Sequence, residues 1–425
     1  MAKAVSGPGA RMTADGQTDG RPTGQAAAVA VARLTLTDFR SYRHAGLATG
    51  GRSVVLTGAN GAGKTNILEA ISFLAPGRGL RRAPLADVAR RSGNPPPADG
   101  TRALAAWAVA AEIDLPTGPV RIGTGLDPEA PPGMARRVVR INGAPAANQS
   151  DLGAFVSIQW LTPQMDRLFI EGSSQRRRFF DRMVYGFHPG HAVSLNAYEQ
   201  AMRERTRLLR EARPDGRWLS ALEETMAGHA MAVAAARRDT ASRLARAIAS
   251  AQDSAFPRAR LTLTGTLESW LDAMPALAAE DRFRETLAQR RPIDTAAGAA
   301  TEGPHRSDLA VAHAPKDMPA ALCSTGEQKA LLTGLVLANA RLMAADRGAP
   351  PLLLLDEVAA HLDAERRAAL FDAVLDLGGQ AWLTGTDRSL FRALEDRALF
   401  VAVAEGHLAP DAPGRPGPSL STVED

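Results

Sequence analysis

A chain of 425 residues, 45% apolar and 23% charged, is long enough for two or three lobes with real cores and has the balance of a globular protein, which excludes a fibrous or wholly disordered class. Its 50 basic and 46 acidic residues leave a formal charge of +4, too close to balance either to demand or to exclude a nucleic-acid partner. One cysteine, Cys323, builds neither an internal disulfide nor a cysteine zinc site, so a reducing cytoplasm is expected; no apolar run approaches the ~18 residues of a membrane helix, and no secretory signal opens the chain.

Residues 1–29 are rich in Gly, Ala and Thr without an apolar period and read as a disordered extension. Alternation from Val31 to Phe39 predicts a half-buried strand, and Ser53 to Thr57 a second one. A glycine-rich loop follows, then a helix with Ile67, Leu68, Ile71 and Leu74 on one face. Residues 91–100 and 127–133 read as loops. Short strands are expected over 103–113, 120–122 and 137–141, the last closed by a turn at Asn142 and Gly143. From about Ser173 the texture becomes Arg- and Ala-rich, predicting long helices over 174–212 and 217–252. A strand-like piece at 260–264 and a helix over 277–290 come next. After Pro304 the α/β texture returns: a helix over 326–346, a buried strand ending at Leu355, a helix over 363–376 and a strand over 381–384. The expected organisation is therefore one α/β lobe built from both chain ends (30–172 and 302–410), an inserted helical lobe (173–301) and a flexible tail (411–425).

The strongest motif is Gly58, Ala59, Asn60, Gly61, Ala62, Gly63, Lys64, Thr65, which fits G-x-x-x-x-G-K-[ST] between a predicted strand and helix. Glycines let backbone N–H groups surround phosphate oxygens, and the helix start adds its positive end. Lys64 is expected at the β and γ phosphates of ATP, and Thr65 on Mg²⁺. Only four basic residues are lysine (Lys3, Lys64, Lys316, Lys329), so a lysine in this motif is unlike the chain's general usage. A second motif runs Leu352 to Leu355 and then Asp356 and Glu357. A buried central strand would deliver carboxylates at its C-terminal edge, where open α/β sheets bind ligands. Asp356 is the candidate Mg²⁺ ligand and Glu357 the candidate general base that polarises the attacking water. Ser324, Thr325, Gly326, Glu327 and Gln328 open the helix before that strand. Taken alone, they equally describe a helix cap.

With both nucleotide motifs in place, residues 324–328 resemble the S-x-G-x-Q signature of ABC-type ATPases. That signature contacts the γ-phosphate held by a second subunit, so two ATP molecules are sandwiched in a dimer. Asp363 falls in the position of a dimer-contacting loop. Thr386 and Asp387 stand where many such proteins carry a γ-phosphate-sensing histidine, which this chain lacks. From about Leu34 to Leu408 the chain resembles the RecF family of bacterial DNA replication and repair ATPases, relatives of SMC proteins. The resemblance rests on Leu34 to Tyr42, on Ile158 to Pro163 with Gln159, on Ser173 to Asp181, on Gly303 to Leu309 and on Thr384 to Asp387. Ser307 departs from the family's usual Asp, and Glu327 from its usual Gln.

The resemblance implies an ABC-type ATPase head that binds ATP and Mg²⁺, with Gln159, Ser324, Gly326, Glu327, Asp363 and Thr386 among its nucleotide contacts. It further implies an ATP-dependent homodimer that binds DNA at single-strand gaps and junctions, works with RecO and RecR, helps load recombinase and supports the SOS response, with a weak DNA-stimulated ATPase. An insertion of ~130 residues at ~1.5 Å per helical residue is too short for the coiled coil of an SMC protein. The other readings are an ABC-type transporter subunit or another SMC-like ATPase. Ten arginines against five acids between Arg176 and Arg217 suggest a basic face for DNA, although a solvated, salt-bridged helix surface explains any one of them as well. Arg40, near the phosphate strand, is either an ATP contact or a strand-end surface residue.

Overall fold

The computed structural model of the chain describes residues 29–90, 106–130, 134–211, 214–250 and 255–411. Its N-terminal part runs β1 (Ala30–Phe39), β2 (Tyr42–Ala48), β3 (Ser53–Thr57), α1 (Lys64–Ser72), β4 (Ala108–Asp114), β5 (Val120–Leu126), β6 (Arg137–Ile141), β7 (Ala144–Pro145) and β8 (Ile158–Leu161). The middle holds α2 (Ser173–Tyr185), α3 (His191–Leu208), α4 (Gly216–Ser250), β9 (Ala259–Thr264), α5 (Thr266–Ala273), α6 (Ala276–Gln289) and α7 (Arg291–Ala297). The chain then continues through β10 (Asp308–His313), β11 (Met318–Pro319), α8 (Thr325–Arg347), β12 (Leu352–Leu355), α9 (Ala364–Asp376), β13 (Ala381–Gly385), β14 (Ala398–Ala404) and β15 (His407–Pro410).

Two six-stranded sheets carry the α/β part. One is antiparallel, ordered β2-β1-β4-β5-β6-β7. The other is ordered β15-β14-β3-β13-β12-β8 and is parallel except at β15. The second sheet joins strands from both chain ends, so the phosphate-loop strand β3 lies between β13 and β14. Strand β12 is leucine throughout because both of its faces are covered. Leu352 and Leu354 enter one core with Val54, Ile67, Leu68, Ile71 and Trp382, while Leu353 and Leu355 enter another with Leu331, Leu335, Leu370 and Phe371. Each such leucine contributes roughly 1.5–3 kcal/mol of burial. Between them these cores fix where the strand's last residue, and hence Asp356, emerges.

The sequence expectations need three adjustments. The helix expected over 174–212 is two helices, interrupted around Pro189, which has no N–H to donate and disfavours helical geometry in the residue before it. Strand β2 and the C-terminal strands β14 and β15 went unread. The inserted segment does not have a core wholly its own. Phe179, Phe180, Leu244 and Phe256 pack into the same cluster as Leu331 and Leu355, and β9 pairs with β10 across the expected boundary. Only Tyr198, Met226, Phe283, Leu287 and their neighbours form a separate helical cluster. The expected loop at 91–100 lies outside the described residues. So do 1–28 of the expected N-terminal extension and 412–425 of the tail.

Candidate nucleotide-binding site

The glycine loop connects β3 to α1, and it needs its glycines for two distinct reasons. Gly58 has φ 144°, and a Cβ there would lie 2.3 Å from the Val403 carbonyl oxygen of β14. Gly63 has φ 114°, and a Cβ there would lie 2.7 Å from the Tyr42 hydroxyl. That hydroxyl donates to the Gly63 carbonyl at 3.0 Å and pins the loop's end. Lys64 begins α1, and its ammonium donates to the carbonyls of Gly58 at 2.7 Å and Ala59 at 2.9 Å. Burial lowers the Lys64 pKa, against the pull of Glu357 and Asp356. A desolvated ammonium facing two carboxylates interacts strongly with any anion that enters.

The parallel register brings the second motif to the same place. Leu355 pairs with Leu161 and Leu383, so Asp356 leaves β12 at the C-terminal edge of the sheet. Thr65 donates to Asp356 Oδ1 at 2.9 Å, and Thr384 donates to the same oxygen at 2.8 Å. Burial raises the Asp356 pKa, Thr384 and Thr65 oppose the rise, and Glu357 adds to it. A hydroxyl and a carboxylate in contact at a helix start make a hard-oxygen donor pair, the set that fits Mg²⁺. Mg²⁺ bound there together with ATP would neutralise phosphate charge.

Glu357 follows with φ 54°, a strained position for a non-glycine residue, and its N–H donates to Thr384 Oγ1 at 2.9 Å. Thr384 therefore positions both acids, a role that sequence reasoning did not assign to any residue. Register held the clue, because Thr384 is the β13 residue level with Asp356. Thr386 is exposed just past Gly385, which pairs with Thr57 at the loop's entry. Asp387 instead caps the following turn, accepting from Ser389 N–H at 2.7 Å.

Gln159 is not brought to the loop. It pairs with Leu353, below the sheet edge, and its buried amide donates to the Arg182 carbonyl at 3.4 Å. The exposed glutamine past that edge is Gln164, in the turn Pro163–Arg167. Arg40 is not aimed at the loop's phosphate cradle either. It makes a two-point contact with the fully buried Glu69 of α1, at 2.8 and 2.7 Å. Arg81 also reaches Glu69, at 3.1 Å, and donates to Asn66 at 2.7 Å. From there it lowers the Asp356 pKa electrostatically.

The signature residues occupy a separate, open surface. Ser324 caps α8, accepting from Glu327 N–H at 3.3 Å while its own N–H donates to Glu327 Oε2 at 3.0 Å. Lys316 pairs with Glu327 and is the first cause of a carboxyl pKa held down to about 2. At 327, where Gln was expected, the carboxylate is thus held by an ion pair within the chain. A Cβ on Gly326 would meet open space. Asp363 caps α9, accepting from Arg366 N–H at 2.8 Å. Ser307 donates to the buried Glu268 at 2.7 Å, and an Asp at 307 would set two carboxylates against each other there.

Residues 30–396 match the family model described as RecF/RecN/SMC N terminal domain. Curated relatives named DNA replication and repair protein RecF include one from Mesorhizobium japonicum, 50% identical over 381 residues, covering 89% of this chain and 97% of the relative. Another, from a Caulobacter species, is 52% identical over 389 residues, covering 88% and 97%. The chain belongs to the RecF family. Its fold agrees with that of a solved RecF–ATP complex described as a recombination mediator of the RecFOR pathway. The TM-score is 0.75 at 17% identity, with 92% of this chain and 100% of that one covered. Among the described residues, no helix of this RecF-family chain is long and apolar enough to cross a membrane.

The buried acid of this site makes its occupancy testable. Because the folded pKa of Asp356 is raised, its carboxylate costs stability as pH rises through the folded value, and only below the unfolded value of 3.8 is that cost absent. Asp356→Asn is therefore expected to raise the melting temperature of the nucleotide-free chain at neutral pH and to remove Mg²⁺-dependent stabilisation by ATP. Thermal denaturation with and without Mg·ATP reads both effects. An unchanged Mg·ATP shift in the variant would contradict the role given to Asp356.

Proposed function

We propose that this chain is an ATP-gated DNA clamp of the RecF type. The observation that carries the reading is the Thr65–Asp356 contact: residues 291 positions apart in sequence meet at 2.9 Å, at the mouth of the phosphate loop. Residues 58–65 bind the phosphates, Lys64 neutralises the β and γ groups, and Thr65 and Asp356 hold Mg²⁺. Glu357, aimed by Thr384, orients the attacking water. Thr386 lies at the loop's entry and Gln164 takes the place expected of Gln159. The ATPase lobe comprises 30–172 and 302–410, with 173–301 as the helical lobe.

The open Ser324 and Gly326 surface, with Asp363 after the acidic strand, supports a second copy of the chain as the partner that completes each site. Closure would bind DNA at gaps and junctions, together with RecR- and RecO-type mediators, in replication-linked repair and the SOS response. A slow ATPase would reopen the clamp. Sedimentation with ATP, with ADP and with Glu357→Gln tests this. The expected result is a monomer that dimerises with ATP, more persistently in Glu357→Gln, and a Ser324→Arg variant that binds ATP but stays monomeric. Dimerisation of Ser324→Arg equal to wild type would overturn the composite site.

A further inference from the structure

Under the reading above, the surface of Ser324 and Gly326 meets the γ-phosphate of ATP held by a second copy of the chain. The incoming group is an anion, yet Glu327 places a carboxylate directly after Gly326. Both oxygens of that carboxylate are held. Oε2 accepts the Ser324 N–H at 3.0 Å, and Oε1 is paired with the ammonium of Lys316. Lys316 ends the turn Ala314–Lys316 between β10 and β11, so it reaches Glu327 from outside α8. The acid next to it, Asp317, is engaged elsewhere, with Arg260 of β9. Among the described residues, the Lys316 ammonium has no ion-pair or hydrogen-bond partner other than Glu327. The Glu327 pKa stays at about 2, so its charge is present at neutral pH and needs this partner.

The choice of cation is unlike the rest of the chain. Only four of its 50 basic residues are lysine, and Lys3 lies outside the described residues. Lys64 is in the phosphate loop. Lys329, one residue after Gln328, pairs at 2.9 Å with Asp166 in the turn that carries Gln164. Lys316 holds Glu327. All three described lysines therefore stand at one half of the proposed composite site or the other. A lysine suits Glu327 for a geometric reason. A guanidinium fork takes both oxygens of a carboxylate, and the Ser324 N–H already uses one of them; an ammonium acts as a point charge on the other.

We propose that Lys316 is a positioning residue of the composite site, neutralising Glu327 and keeping its carboxylate on the Ser324 N–H so that the signature surface accepts the nucleotide of a second copy. The proposal rests on the clamp reading and adds a residue that lies outside both the phosphate loop and the signature. Without Lys316, an uncompensated carboxylate beside Gly326 would face a triphosphate across a closing interface, where expulsion of water strengthens like-charge repulsion. Without the charge at 327, Lys316 becomes dispensable, because a glutamine still accepts the Ser324 N–H in a capping box.

The test is sedimentation of the full-length chain with a slowly hydrolysed ATP analogue, as wild type, Lys316→Met, and Lys316→Met with Glu327→Gln. Lys316→Met is expected to raise the dimer dissociation constant at least about tenfold at low salt, and less at high salt, where screening weakens the repulsion. Its monomer should bind a fluorescent ATP analogue as wild type does. The double variant should recover dimerisation. Arg284→Met, which breaks an exposed pair with Asp281 on α6, should dimerise like wild type. Dimerisation of Lys316→Met equal to wild type would overturn the proposal and leave the composite site standing. A loss that Glu327→Gln does not relieve would assign Lys316 to local folding alone and overturn it too. If the wild type itself stays monomeric with the analogue, the composite-site reading falls and the role of Lys316 with it.

Discussion

Replacing Lys64 by alanine is expected to weaken ATP binding by roughly 10- to 150-fold, the worth of about 1.5–3 kcal/mol for hydrogen bonds to a charged group. Under the proposed clamp, in which the nucleotide bridges two copies, ATP-dependent dimerisation and ATP-stimulated DNA binding should disappear with it. The fold itself should tolerate the change. The ammonium's two hydrogen-bond partners are loop carbonyls, those of Gly58 and Ala59, and the variant removes a desolvated charge. Titration with a fluorescent ATP analogue, sedimentation and DNA anisotropy on the same preparation separate these effects. DNA binding indifferent to both nucleotide and Lys64 would falsify the clamp reading while leaving the site's geometry intact.

A loss of stability, instead of nucleotide, is expected at Arg237. This buried arginine of α4 forks onto Asp181 of α2, at 2.7 and 2.9 Å, and also donates to the Pro304 carbonyl. His191 of α3 meets the same carboxylate at 2.9 Å. One network thus ties three helices of the inserted segment to the chain's return to the α/β part. Arg237→Ala would leave Asp181 buried with a single partner, a change expected to cost about 3–5 kcal/mol by denaturant unfolding. An apolar replacement of both partners, Arg237→Met with Asp181→Leu, should recover part of that loss. A cost below about 1 kcal/mol for Arg237→Ala would show that the network contributes little.

The same carboxylate sets a pH dependence. Burial pushes the Asp181 pKa up, but Arg237 and His191 more than offset it, and the folded value falls from 3.8 to about 2. A depressed acid contributes stability above its unfolded value and loses it as pH falls through the folded one. About 2 kcal/mol should therefore be lost between pH 4 and pH 2.

Much of this molecule was legible without coordinates, for identifiable reasons. Residues 58–65 announce themselves because a phosphate cradle needs glycine at set positions and a lysine beside a hydroxyl, all within one turn of chain. The run Leu352 to Leu355 followed by Asp356 is legible because a strand buried on both faces admits only apolar residues until it ends. The ends of β1, β3, α8 and β12 fell within a residue or two of their expected places. Each of these signals is local, carried by residues adjacent in sequence.

What failed was non-local. Gln159, in the edge strand β8, was expected at the nucleotide only because the family resemblance implied it. Only the pairing of Ile158 with Leu352 shows that it lies below the sheet edge. The role of Thr384 went unread because it comes from its place level with Asp356 in the neighbouring strand. The ten arginines of 176–217 suggested a basic face because their partners, Asp308 and Asp294 among them, lie up to 132 residues away.

The phosphate loop, the acidic strand and the return to α/β texture after Pro304 were thus determined by sequence alone, since backbone conformation and strand burial constrain residue type position by position. Which arginines are paired, which threonine holds the acids and which glutamine reaches the edge were decided only in the tertiary structure. Those properties belong to pairs of residues far apart in the chain, and no single segment encodes the distance between them.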